Sequence, residues 1–202
     1  GYMTNHFFAP NAHYSREPLT ASGLAEFADL VQAFHEQGIA VLLDVVYNHV
    51  GEPNFLLHLD KQYFFHIAPN GELMNWSGCG NTLRAEAAMS TRLICESLAY
   101  LVERFDVDGF RFDLAELIGV EVLKQVENAL KAVKPGIILI AEPWSFRGHI
   151  AADLKQTGWA FWNDGFREFL PRYLRGRGNA DGIKYYLSGC LSHLTRYPAQ
   201  SV

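Results

Sequence analysis

The stretch "DGFRFDLAEL", residues 108–117, decides how this chain is read. Phe110, Phe112 and Leu114 alternate with Arg111 and Asp113, which is the two-residue period of a β-strand. On a strand, Arg111 and Asp113 point to the same face. A buried strand uses charge sparingly, because an unpaired buried charge is costly. The pair is either a structural ion pair on a half-exposed strand or the polar floor of a site. Taken alone, the stretch fits both.

Working outward, helical and strand patterns alternate. Residues 23–37 place Leu24, Phe27, Leu30, Val31 and Phe34 at helical spacing, with Ser22 in position to cap the start and Gly38 to end it. The apolar run "IAVLLDVV", 39–46, reads as a strand buried on both faces of a parallel sheet. A helix over about 87–105 leads into the strand at 107–113. Another, over about 119–133, carries Val122, Val126, Leu130 and Val133 and leads into "IILIAE", 137–142. Further elements are expected near 1–8 and 158–163 (strands), and near 164–174 and 181–191 (helices). This rhythm predicts βαβ units on a parallel sheet, hence an α/β fold. Residues 51–85, rich in Gly, Asn, His and aromatics, break the rhythm and read as an inserted loop or small subdomain.

Composition narrows the function. With 202 residues, 49% of them hydrophobic, the chain can bury one good-sized core. A formal net charge of −5 and the lack of a basic run argue against a nucleic-acid partner. No apolar stretch has membrane-spanning length, so no membrane partner is expected. Cys79, Cys95 and Cys190 fit neither a metal-site spacing nor a complete disulfide framework. They read as reduced thiols, which leans towards a cytoplasmic setting.

The polar residues collect at one end of the strands. Asp44 nearly ends its apolar run and is followed by Asn48 and His49. Arg111 and Asp113 end theirs, and Glu142 ends the next, followed by Trp144. In a parallel barrel those carboxyl ends share the face that carries the active site. Two convergent carboxylates can divide the cleavage of a glycosidic bond between nucleophile and acid. Arg111, close to Asp113 on the same face, favours the carboxylate form of Asp113. Glu142 has Pro143 and Trp144 beside it and no cation near in sequence. Partial desolvation there raises a carboxyl pKa, as a general acid requires.

"DVVYNHV" at 44–50, "DGFRFDLAEL" at 108–117 and "AEPW" at 141–144 resemble, in order and spacing, three signature regions of the α-amylase superfamily, glycoside hydrolase family 13. "GYMTNHFFAP" at 1–10 and "SGCGNTL" at 77–83 are similar to its isoamylase and glycogen-debranching branch. The resemblance implies a (β/α)8 barrel, of which this chain would hold roughly strands 2 to 6, with 51–85 inserted after the third. It implies a retaining hydrolase of α-1,6 branch linkages in glycogen- or starch-type α-glucans. In it Asp113 would be the nucleophile and Glu142 the acid and then the base. Arg111 would orient Asp113, His49 would bond the sugar before the cleaved bond, and Tyr2 would stack on that sugar. Asp44 would support the site, and Trp144 would contact substrate. Asn48 matches a calcium ligand of many α-amylases, but debranching relatives often lack that ion. No cofactor is required and no metal is assigned.

The other tryptophans, Trp76, Trp159 and Trp162, read as core rather than sugar platforms. His6, His13, His35, His58, His66, His149 and His193 read as surface or hydrogen-bonded residues. Neither end of the chain has the character of a natural terminus. The family's third carboxylate, an aspartate on the seventh strand, should begin where the chain stops at Val202. Residues 1–202 are therefore expected to be part of one catalytic barrel domain. The fragment would be inactive alone, and would self-associate or need the rest of its barrel. Two alternatives stay open: a non-catalytic glucan-binding or scaffolding homologue, and an α-glucan transglycosylase of the branching type.

Overall fold

The computed structural model describes residues 2–190 and 194–202. Four short strands, β1 (Leu42–Val45), β2 (Gly109–Phe112), β3 (Ile138–Ala141) and β4 (Ala160–Phe161), form one parallel sheet in sequence order. Helix α1 (Ser22–Glu36) precedes β1, α3 (Ala88–Phe105) precedes β2 and α4 (Val120–Val133) precedes β3. The short α5 (Ala151–Leu154) precedes β4, and α6 (Asp164–Leu174) and α7 (Ala180–Leu187) follow it. Residues 51–85 hold α2 (Phe55–Phe64) and isolated antiparallel bridges, including His49 with Thr82 and Phe65 with Leu83. No helix among the described residues is long and apolar enough to cross a membrane.

The pleat sorts the strand residues. Phe110 and Phe112 of β2, Leu139 and Ala141 of β3 and Phe161 of β4 are buried against Ile94, Leu98 and Val102 of α3 and Leu123, Val126 and Leu130 of α4. The indole of Trp159 is fully buried and donates to the Leu123 carbonyl at 3.0 Å. On the opposite face, Asp44 pairs in register with Arg111, Arg111 with Ile140, and Ile140 with Ala160. Gly109 is required where β2 and β3 approach, since a Cβ there would fall onto the Ile138 carbonyl.

At the amino ends of the strands, Asp108 ties four elements together. Its carboxylate accepts from the Val41 amide at 2.8 Å and from Lys134 Nζ at 3.0 Å, and bonds His35 Nε2 at 2.7 Å. Burial alone would raise its pKa. The Val41 amide, Lys134 and His35 outweigh that and hold it at about 2.

Several expectations are corrected. Residues 2–8 form no strand. The strand expected at 39–46 shortens to 42–45 and is only half covered, with Asp44 exposed. Ser22 does not cap α1. The helix starts at Ser22 itself, whose amide donates to Thr20 Oγ1 at 3.2 Å. Gly38 does end α1, at φ +70°, with its amide on the His35 carbonyl and that of Ile39 on the Phe34 carbonyl. Leu30 and Phe34 of α1 and Val133 of α4 stay substantially exposed. The helix expected to reach 191 ends at Leu187. Residue 191, like His193, lies outside the described residues. Ser201 makes a parallel bridge with Phe161, so the chain runs beside β4 again at its end.

Candidate active site

The site grows from the register. The Asp113 amide donates to the Val45 carbonyl, that of Glu142 to Phe112 and that of Trp162 to Ala141. Each residue thus continues its strand by one step beyond the last buried apolar position. Asp113, Glu142 and Trp162 share the face that carries Asp44 and Arg111.

Arg111 is the hub. Its Nη1 donates to Asp44 Oδ1 at 2.7 Å and to Asp113 Oδ1 at 3.1 Å, and its Nη2 donates to Glu142 Oε2 at 2.6 Å. The guanidinium carbon lies 4.2 Å from the centroid of the Trp162 ring, a cation–π contact. A planar fork with several donors can meet three carboxylates at once, which an ammonium cannot. Arginine 111 is buried with its carboxylates already in place, the condition under which a buried charge is tolerated.

Two other groups refine the arrangement. Asn48 Nδ2 donates at 3.0 Å to both the Asp113 carbonyl and Asp113 Oδ2, while its Oδ1 accepts from His49 Nδ1 at 2.6 Å. Leu114 follows Asp113 at φ +40°, a conformation costly for a branched side chain. That turn aims the Leu114 amide at Glu142 Oε2, 3.0 Å away. The strain is thus held beside the one carboxylate oxygen that also takes Arg111.

The electrostatics separate the groups. Burial pushes the Glu142 pKa up. The Leu114 amide and Arg111 pull it down without reversing the shift, and the Asp113 charge adds to the rise. Burial lowers the pKa of His49, against the opposing charge of Asp113. His49 Nε2 is buried without a well-formed hydrogen bond, although the Tyr2 main chain lies near enough to favour a proton on the ring. Tyr2 donates its hydroxyl to Asp44 Oδ2 at 3.2 Å, and the Asp44 charge raises its pKa. The Tyr2 ring is half exposed. Trp144 is partly buried, beside His149 and under the Arg167 guanidinium at 5.3 Å.

The structure therefore brings Asp44, Arg111, Asp113, Glu142, His49 and Tyr2 into one linked cluster, with Trp144 two residues beyond Glu142. Glu142 has no cation near it in sequence, but Arg111 reaches it from β2. The readings of two tryptophans change. Trp162 is not core: it is 38% exposed and caps Arg111. The period of its strand carried the signal, since Trp162 is two residues past Ala160 and so on the face of Arg111. Trp76 is also off the core, between His66 and the Arg147 guanidinium. Asn48 Oδ1, the oxygen matched to a calcium ligand, accepts from His49 Nδ1. No group of three or more His, Cys, Asp or Glu among the described residues could hold a metal ion.

No family model matches the sequence. The chain is 34% identical to isoamylase 3, chloroplastic, of Oryza sativa subsp. japonica, over 91% of its own length and 26% of the relative's. It is 37% identical to a glycogen debranching enzyme of Salmonella heidelberg (strain SL476), over 90% of its own length and 29% of the relative's. The solved pullulanase from Bacillus acidopullulyticus superposes on the whole chain with a TM-score of 0.91 at 30% identity, over 27% of that protein. The chain thus spans well under a third of the curated relatives it matches. Its parallel sheet and helical crossovers match the fold of that pullulanase over the stretch they share. Over the part of the barrel domain that it spans, the chain belongs to the debranching branch of the α-amylase superfamily.

Proposed function

We propose that this chain carries the nucleophile and the acid of a retaining hydrolase that cleaves α-1,6 branch linkages in glycogen- or starch-type α-glucans. The observation that carries the reading is the single guanidinium of Arg111, hydrogen-bonded to both Asp113 and Glu142 at the carboxyl ends of adjacent parallel strands. A shared partner of this size favours the close spacing of a retaining pair, about 5–5.5 Å, over the wider gap of about 6.5–9.5 Å that an inverting enzyme leaves for water. The relatives named isoamylase, glycogen debranching enzyme and pullulanase support the substrate class.

Asp113, its oxygens oriented by Arg111 and Asn48, attacks the anomeric carbon of the branch. Glu142, whose pKa burial raises, donates its proton to the departing oxygen. It then takes a proton from the water that releases the glycosyl-enzyme. His49 Nε2 faces the sugar before the cleaved bond, Tyr2 and Trp144 offer ring surface to substrate, and Asp44 fixes Tyr2 and Arg111. In this reading residues 51–85 are an insertion within one catalytic barrel domain.

The test uses the full-length protein on amylopectin or glycogen, with linear chains and reducing ends as the readout. Asp113→Asn should abolish release while glucan binding persists, because the amide keeps the shape without the nucleophile. Glu142→Gln should cripple hydrolysis of glucan but spare the first step on a substrate with an activated leaving group. Full activity of either variant on glucan refutes the assignment. New branch points among the products, in place of reducing ends, would identify a transglycosylase. Binding without turnover in the unmodified protein would identify a scaffold.

A further inference from the structure

The loop that leaves Glu142 is a pinned turn. The Ser145 amide donates to the Gly148 carbonyl at 2.9 Å, that of Ile150 to Pro143 at 2.8 Å, and Trp144 bridges His149. Ser145 Oγ donates to the Glu116 carboxylate and accepts from the Arg147 amide. His149 Nε2 lies 3.4 Å from Asp164. At the tip stand Phe146 and Arg147.

Their arrangement inverts what solvent would favour. A surface turn ordinarily tucks the aromatic ring and leaves the charge in water. Here the Arg147 guanidinium is laid on the Trp76 ring, 3.9 Å from its centroid, while Phe146 stands 87% exposed. One edge of the Phe146 ring lies beside Gly78 of the neighbouring loop, where an added Cβ would come into ordinary van der Waals contact with it at 3.6 Å. Four residues of chain cannot carry Phe146 more than about 14 Å from Glu142. That limit keeps Phe146 close enough to the acid to meet sugars of the same glucan chain.

We propose that Phe146, held upright by the Ser145–Glu116 and Arg147–Trp76 contacts, is an outer platform on which the apolar face of a glucose residue stacks. Through it the site would favour long α-glucan chains over short ones. The proposal rests on the glucan reading of the Asp113–Glu142 site. A fixed ring on a fixed turn loses little freedom on binding, so most of the stacking contributes to affinity.

The experiment compares the full-length protein with Phe146→Ala and Phe146→Tyr. KM is measured on glucans with long branches and with two-glucose branches, and Kd for a linear maltooligosaccharide of seven units is measured by calorimetry. Phe146→Ala should raise the long-branch KM and the Kd by about 2- to 10-fold, with a smaller change on short branches, and Phe146→Tyr should restore both. An unchanged Kd, an equal effect on both branch lengths, or no rescue by tyrosine overturns the proposal. If the unmodified protein does not debranch at all, the glucan reading fails, and the Kd comparison alone still judges the platform.

Discussion

Replacing Asp108 by asparagine tests the scaffold at the opposite end of β2 from the carboxylates. The native carboxylate is held at about 2 against an ordinary 3.8 by the Val41 amide, Lys134 and His35, after burial has worked the other way. A shift of that size corresponds to about 2.5 kcal/mol at 1.36 kcal/mol per unit. The side chain is 21% exposed, so solvent screening trims this to about 1–2.5 kcal/mol. Asparagine keeps an oxygen for the Val41 amide but forfeits the charge that Lys134 and His35 meet. For a domain of this size the loss should lower Tm by about 3–8 °C at pH 7. The sign of the pH dependence follows from the depressed folded-state value. The contribution is complete above the unfolded value of 3.8 and is lost as pH falls through 2. Calorimetric or urea unfolding of the full-length protein and of Asp108→Asn, from pH 7 down to pH 3, measures it. The gap between them should be widest near neutrality and begin to close below about pH 4. A gap that is absent at pH 7, or equally wide at pH 3, would show that charge in this network does not hold β1, β2, α1 and α4 together.

Arg111→Lys should lower kcat/KM on branched glucan by about 10- to 100-fold, since a point charge cannot serve Asp44, Asp113 and Glu142 together; near-native activity would refute the hub. The rate on natural glucan should fall as pH rises through the Glu142 pKa, which burial raises, because the acid form is lost. That alkaline limb should flatten on a substrate with an activated leaving group, and an identical limb on both would assign it elsewhere. Gly109→Ala should destabilise by about 1–3 kcal/mol through the clash with Ile138 across the strands, as read by urea unfolding. Gln200 is buried, and its Nε2 faces the carbonyls of Leu154, Lys155, Thr157 and Trp159 at 3.1–3.4 Å. Gln200→Glu should therefore cost about 1–3 kcal/mol at neutral pH, and less once acid restores a donor; an unchanged Tm at pH 7 would be the contrary result.

Periodicity alone placed the helices around 23–37, 87–105 and 119–133 and the strands before Asp113 and Glu142, because each element buries one face and writes that face into its spacing. The same period put Arg111 and Asp113 on one side, and the strand-end positions of Asp44, Asp113 and Glu142 marked one rim of the sheet. All of this is local: it depends on residues within a turn or a strand of one another. The bounds of β1 were not legible in its apolar run, since pairing with β2 and not apolarity sets where the strand begins and ends. Nor was the absence of a strand over residues 2–8. The decisive contacts at the site join residues far apart in the chain. Arg111 reaches Glu142 across 31 positions, and Asn48 reaches Asp113 across 65. The pKa of Glu142 then depends on burial, a turned Leu114 amide and a guanidinium from another strand, acting against one another. The Trp162 ring over Arg111 has the same origin. Sequence pattern records which face a residue takes, but only the pairing and register of the strands set which charges meet on that face, and at a spacing of about 3 Å that choice fixes their chemistry.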